Sequence, residues 1–163
     1  MPRNPRNRSL LHVMISPLPP IYEVCAVIRH QGEYLCLQRR NNQRAYFSRK
    51  FEFPTAHKES WETPEEDLVR AIQHKLGLDI SVSAYFYGIV YHSDQQTYFK
   101  DVYLCESTHR TLKPSAHLQK LWLPREAMNP LDWTEADRTI LSLITSDFNP
   151  PKKPLITYGY YHL

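Results

Sequence analysis

Positive charge gathers around one short stretch of the chain: His57 and Lys58, then Arg70, His74 and Lys75. Cations grouped in this way can hold phosphate oxygens directly through charge-assisted hydrogen bonds, with no metal between them. Glu62 lies within the same stretch and Glu59 just before it. Carboxylates are the usual ligands of a hard divalent cation, but one or two of them beside several cations make a poor cage for magnesium. Two plainer uses stay open. Arg70 can orient the preceding loop through hydrogen bonds, and His74 and Lys75 can form the solvated side of a helix.

The local sequence says which elements must position these groups. Thr63 followed three residues later by Glu66 is a capping box, and Pro64 suits the first helical position. Gly77 supplies a left-handed stop, so the spacing predicts a helix over Pro64 to Leu76. Leu68, Val69, Ile72 and Leu76 recur at helical spacing and are expected to form its buried stripe. Asp67, Arg70, Ala71, His74 and Lys75 are expected on the other faces, and Glu65 and Glu66 suit the helix N-terminus. Phe51-Glu52-Phe53-Pro54 reads as a short strand ending at the proline, with a loop from Thr55 to Glu62.

This strand, loop and capped helix resemble the Nudix box of the MutT-like hydrolases. The family pattern is a glycine, five residues, a glutamate, seven residues, then Arg-Glu-apolar-x-Glu-Glu-x-Gly-apolar. Here Ala56 stands at the glycine, Glu62 at the first glutamate, Arg70 at the arginine, Ile72 at the apolar position, and Gly77-Leu78 at the end. Ala71, His74 and Lys75 replace the other three glutamates. The resemblance runs from about Ile21 to Ile144. It implies an α/β fold, with a mixed β-sheet sandwiched between helices (α/β/α). In the family, glutamates of this helix coordinate magnesium, which bridges phosphate oxygens and helps activate a water. The substitutions remove three negative charges and add one positive. No metal cofactor is therefore expected, with Glu62 a catalytic remnant and Glu62 and Glu59 the ligands if any; magnesium belongs to the case of an active hydrolase, which would recruit other carboxylates such as Glu52, Glu59 and Glu62.

The resemblance also implies ligand contacts. An arginine at the end of the second strand often meets substrate phosphates in these hydrolases, which makes Arg39 a candidate beside Arg70 and Lys75. A polar residue near the start of the C-terminal helix can read a base edge there, which makes Asp137 another; helix capping is its competing role. Tyr85, Tyr87, Phe99 and Trp133 can stack on a base or fill the core. The expected function is a nucleotide-binding or regulatory module with little or no hydrolase activity, its ligand a nucleotide or other phosphate-containing small molecule. The alternatives are an active hydrolase cleaving a nucleoside diphosphate-linked substrate with non-standard carboxylates, and a protein-interaction scaffold that uses its tails.

Length and composition bound the rest. The 163 residues suit one domain with a real core. The formal net charge of +3 allows anionic ligands without demanding nucleic acid. No apolar run is long enough to span a membrane. Residues 1–20 form a basic arm rich in proline and arginine, residues 21–147 the domain, and residues 148–163 a tail rich in proline and tyrosine. Strands are expected at Tyr22 to Arg29 and Glu33 to Arg39 around a turn at His30-Gln31-Gly32, and at Ile80 to Tyr91, Tyr98 to Ser107 and Lys120 to Leu123. A second helix is expected from a Thr134 cap to Ile144. Cys25, Cys36 and Cys105 fall in apolar strand patterns, which suits buried thiols in a cytoplasmic protein.

Overall fold

The computed structural model describes residues 18–41, 46–58 and 62–146. Residues 1–17 of the arm, residue 147, the whole tail from 148 to 163 and Glu59 lie outside the described residues. Strand β1 (Ile21–His30) turns into β2 (Glu33–Gln38) through Gln31 and Gly32, at φ 48° and 80°. Positive φ at both central residues is the geometry of the tight turns that match strand twist. These two strands pair only beside the turn, at Arg29↔Tyr34 and His30↔Glu33. Beyond it they diverge, and the segment from 51 to 57 fills the fork. Within that segment β3 (Phe51–Glu52) pairs with β2, and β4 (Thr55–His57) pairs with β1. Ala26 N donates to Pro54 O at 2.9 Å and Arg39 N to Lys50 O at 2.9 Å, closing the two sides.

The other edge of β1 runs parallel to β6 (Gln96–Ser107), from Ile21↔Tyr98 to Arg29↔Glu106. Strand β5 (Ile80–Ser93) pairs antiparallel with β6, and β7 (Gln119–Pro124) with β2. The result is a mixed seven-stranded sheet. Alternation along β1 sends Val24, Ala26 and Ile28 to one core and Cys25 and Val27 to the other. Helix α1 (Pro64–Leu76) closes the first with Leu68, Ile72 and Leu76. Helix α3 (Glu135–Ile144) closes the second with Ile140, Leu141 and Ile144. A four-residue helix α2 (Arg125–Met128) follows β7. The sheet is therefore buried on both faces, the expected α/β/α sandwich, and the three cysteines are buried and free.

Helix α1 begins and ends where its caps dictate. Thr63 Oγ1 accepts from Glu66 N, the Glu66 side chain accepts from Thr63 N, and Gly77 is left-handed at φ 67°. Its rotation differs from the expected one. Val69 is 37% exposed, whereas Asp67 is buried at 3%. The cause lies outside the helix: Lys58, also buried, meets Asp67 Oδ2 at 2.5 Å and draws that carboxylate inward. Two further expectations give way. Part of the segment expected as a loop is strand β4, because its backbone completes the edge that β1 exposes at the fork. Helix α2 occupies a stretch for which no element was expected.

Helix α3 is joined to the sheet by a buried ion pair. Lys100 Nζ on β6 lies 3.3 Å from Asp137 Oδ1, with both side chains almost wholly buried. Burial alone would lower the Lys100 pKa; the carboxylates of Asp137 and Glu23 outweigh it, and the result lies well above the ordinary lysine value. Asp137 Oδ2 also accepts from the Thr134 hydroxyl at 2.7 Å, so the same carboxylate anchors the helix cap. Asp137→Asn leaves the Lys100 charge buried without its counter-charge and is expected to cost about 3–5 kcal/mol of unfolding free energy. Guanidinium titration measures this, with the exposed Glu135→Gln expected to stay within about 0.5 kcal/mol of the parent.

Candidate functional site

A cavity of about 880 Å³ opens at the mouth of the fork, between the end of β2, the segment from 52 to 57 and one face of α1. The fork makes it: where β1 and β2 part, the sheet leaves a concave floor of Leu37, Pro54 and Ala56. Arg39 and Arg40 stand on one wall. Arg70, Ala71, His74 and Lys75 stand on the α1 wall, and His57 and His117 at the rim. The expected ligand-binding residues Arg39, Arg70 and Lys75 are thus brought together. Residues at 70, 71, 74 and 75 share a helix face by their spacing, and the burial of Asp67 turns that face toward the cavity.

Each arginine is held in place. Arg39 Nη1 donates to Glu52 Oε2 at 3.1 Å, and its guanidinium lies over the Phe47 ring, 4.8 Å from the centroid. Arg40 Nε donates to Ala116 O at 2.7 Å. Arg70 Nε donates to Glu62 Oε2 at 2.9 Å while Nη2 donates to Asp67. These bonds raise the Arg70 pKa, the one to Glu62 most of all. Lys75 makes no ion pair among the described residues.

Several residues fall elsewhere than expected. Lys58, read as a cavity cation, is buried against Asp67 and also donates to Glu62 O at 2.5 Å. Glu62 is absent from the cavity lining and borders a shallower groove of about 480 Å³ on the far side of α1, with Val69, Ile80 and Val82. Asp137 lies under α3, bonded to Lys100 and Thr134, and takes the capping role. Trp133 takes the core role of the two left open for it, stacking on Phe53 with centroids 4.7 Å apart. The sequence reading missed Glu23 and His117 as site residues and placed Glu52 only among the carboxylates that an active hydrolase would recruit, not beside Arg39. Their signal was present, since Glu23 and Glu52 are charged positions inside otherwise apolar strands.

The carboxylates near the cavity are already engaged. Glu52 holds Arg39, Asp67 holds Lys58 and Arg70, and Glu23 accepts from the Tyr91 hydroxyl at 2.5 Å with His57 Nε2 3.9 Å away. Among the described residues, no three His, Cys, Asp or Glu side chains are grouped to hold a metal ion. Magnesium asks for an octahedron of oxygen donors. The cavity face of α1 offers a methyl group, an imidazole and an ammonium instead, so the residues present do not fit that ion.

The NUDIX domain family matches residues 19–144. The chain belongs to this family. No curated protein matches it in sequence. Among solved structures, the E. coli ORF135 protein is 23% identical, with a TM-score of 0.64 over 77% of this chain and 88% of that one. The MutT protein of Methanosarcina mazei Go1 is 20% identical, with a TM-score of 0.65 over 76% and 90%. The NUDIX domain of Shewanella oneidensis NrtR, solved in complex with ADP-ribose, is 13% identical, with a TM-score of 0.60 over 85% and 96%. At these identities the likeness is one of fold. No helix among the described residues is long and apolar enough to cross a membrane.

Within this Nudix domain the titration of Glu52 is displaced most clearly at the cavity. Burial pushes its carboxyl up to about 7, against the pull of Arg39 in the other direction. In the unfolded chain the same group ionises near the ordinary glutamate value, so the folded state holds the proton more tightly. Its contribution to stability is full at acid pH and is lost as pH rises to about 7. Glu52→Gln, which keeps the shape of the neutral form, is therefore expected to stabilise the domain at about pH 8 by up to about 3 kcal/mol. Denaturant titrations of both proteins should converge at about pH 4, where the wild-type carboxyl is protonated in either state.

Proposed function

We propose that this Nudix domain is a binding or regulatory module. It takes a nucleotide-type ligand through its phosphates, without a divalent cation, and hydrolyses it little or not at all. The observation that carries this reading is the α1 face at the cavity. Ala71, His74 and Lys75 stand there, opposite Arg39 and Arg40 and beside Arg70. A hydrolase that relies on a metal draws its charge stabilisation from that ion and the carboxylates that hold it. Here the charge that stabilises a diphosphate comes from the side chains themselves. Each charge-assisted contact contributes on the order of 1.5–3 kcal/mol.

The phosphates are placed between the two walls, with Arg39 and Arg40 on one side and Arg70 and Lys75 on the other. ADP-ribose, found on the NUDIX domain of S. oneidensis NrtR, is the first ligand to test. It should raise the melting temperature in the presence of EDTA by mass action. Affinity should fall as salt screens the contacts. Lys75→Ala and Arg39→Ala should each weaken binding about tenfold or more by calorimetry at neutral pH, with the fold retained. Hydrolysis of ADP-ribose or nucleoside triphosphates should stay near background with magnesium or manganese. Robust turnover that disappears in Glu62→Gln would instead establish the hydrolase with non-standard carboxylates.

A further inference from the structure

We propose that Glu52 is a positioning residue of this cavity: it holds Arg39 when the site is empty, and yields it to a ligand phosphate by taking up a proton from solvent. The inference rests on the binding function proposed above and says how that site accepts its ligand.

The geometry forces two anions onto one guanidinium. Arg39 is fixed at its backbone by the bond from its N–H to Lys50 O and at its head by the Phe47 ring, so it does not swing free to meet a ligand. Its side chain is 37% exposed toward the cavity, while that of Glu52 behind it is 11% exposed. A phosphate that reaches Arg39 therefore arrives a few ångströms from the buried carboxylate. Two negative charges that close are not both retained when one can be neutralised. The phosphates of a diphosphate diester such as ADP-ribose do not titrate near neutrality. Glu52 does, because burial has already raised its carboxyl to about 7.

The surroundings of Glu52 support the same direction. Asp137, on α3, raises its pKa further, while Arg39 and Lys100, from β6, oppose burial. A bound phosphate diverts the Arg39 charge, and Lys100 is already matched with Asp137 at 3.3 Å. Nothing else among the groups acting on Glu52 compensates for the lost pull. Other titratable groups line the cavity, among them Glu23, His57, His74 and His117. Burial and the cations Arg39, Lys120 and Lys75 lower the pKa of His117, away from the range where Glu52 titrates. Protonation of His57 or His74 also favours an anion, so the test must separate them from Glu52.

The experiment is calorimetric titration with ADP-ribose, in EDTA, across about pH 6 to about pH 8.5, in two buffers of different ionisation enthalpy. The wild-type protein is expected to lose affinity as pH rises above about 7, approaching tenfold per unit, and to take up close to one proton per ligand at about pH 8. Glu52→Gln should bind several-fold to tenfold more tightly than wild type at about pH 8, with that proton uptake gone. The gain should vanish when Glu52→Gln is placed on Arg39→Ala. If the wild type binds and Glu52→Gln shows the same pH profile, the role of Glu52 is overturned while the binding function stands. A pH dependence that disappears only in His57→Asn or His74→Asn overturns it equally. Should neither the wild type nor Glu52→Gln bind ADP-ribose or inorganic pyrophosphate at millimolar concentration, both proposals fail.

Discussion

The ion pair between Lys58 and Asp67 sets the geometry on which the cavity depends. Both side chains are buried, and the ammonium also bonds the carbonyl of Glu62. Lys58 N donates to Tyr22 O at 2.8 Å, so the residue that grips α1 is itself pinned to β1. Arg70 extends the network to Asp67 and the Glu62 carboxylate. A buried pair gains little net stability after desolvation. What it supplies here is orientation. With Asp67 inward, Leu68, Ile72 and Leu76 face the sheet, Val69 turns outward, and Ala71, His74 and Lys75 turn to the cavity.

The fork in the sheet supplies the opposite wall. Because β1 and β2 pair only at their turn, the chain from 51 to 57 can enter between them, and its backbone groups find partners on both sides. That wedge carries Glu52 to the base of Arg39 and His57 to the side of Glu23. The domain thus places a carboxylate behind several of its cations: Glu52 behind Arg39, Asp67 behind Lys58 and Arg70, and Asp137 behind Lys100. At the cavity the two arginines stand nearer the solvent than the acids they bond: Arg39 outside Glu52, and Arg70 outside Asp67. A ligand approaching from outside meets the positive member first.

This arrangement changes the meaning of the altered family motif. Losing three glutamates from α1 removes the anionic cage, but the fold around it is kept, including the arginine that binds the loop and the glycine that ends the helix. A cation-lined cavity remains, with its carboxylates already engaged. The proposed binding function rests on this electrostatic character.

The sequence by itself determined the features that depend on neighbours a few residues apart. Thr63, Glu66 and Gly77 fixed the ends of α1, Gln31-Gly32 the first hairpin, and Thr134 the cap of α3, because each bond closes within a turn. The spacing from Ala56 to Leu78 carried the family and hence the sandwich. Tertiary structure decided the rest. No local pattern told Asp67 to turn inward, since its partner lies nine residues back across a loop and the helical period alone favoured Val69. Asp137 could cap its helix or meet a ligand on local grounds alone, and only the packing of β6 brings Lys100 to it. Glu62 kept its position in the motif, yet it lies outside the cavity lining, in a groove that it shares with Arg70. Arg39 was legible as a candidate, whereas its partnership with Glu52 depended on a fork that only the paired strands create. Charge partners and burial depth follow from which backbone segments pack together, and these contacts link residues too far apart for sequence spacing to record.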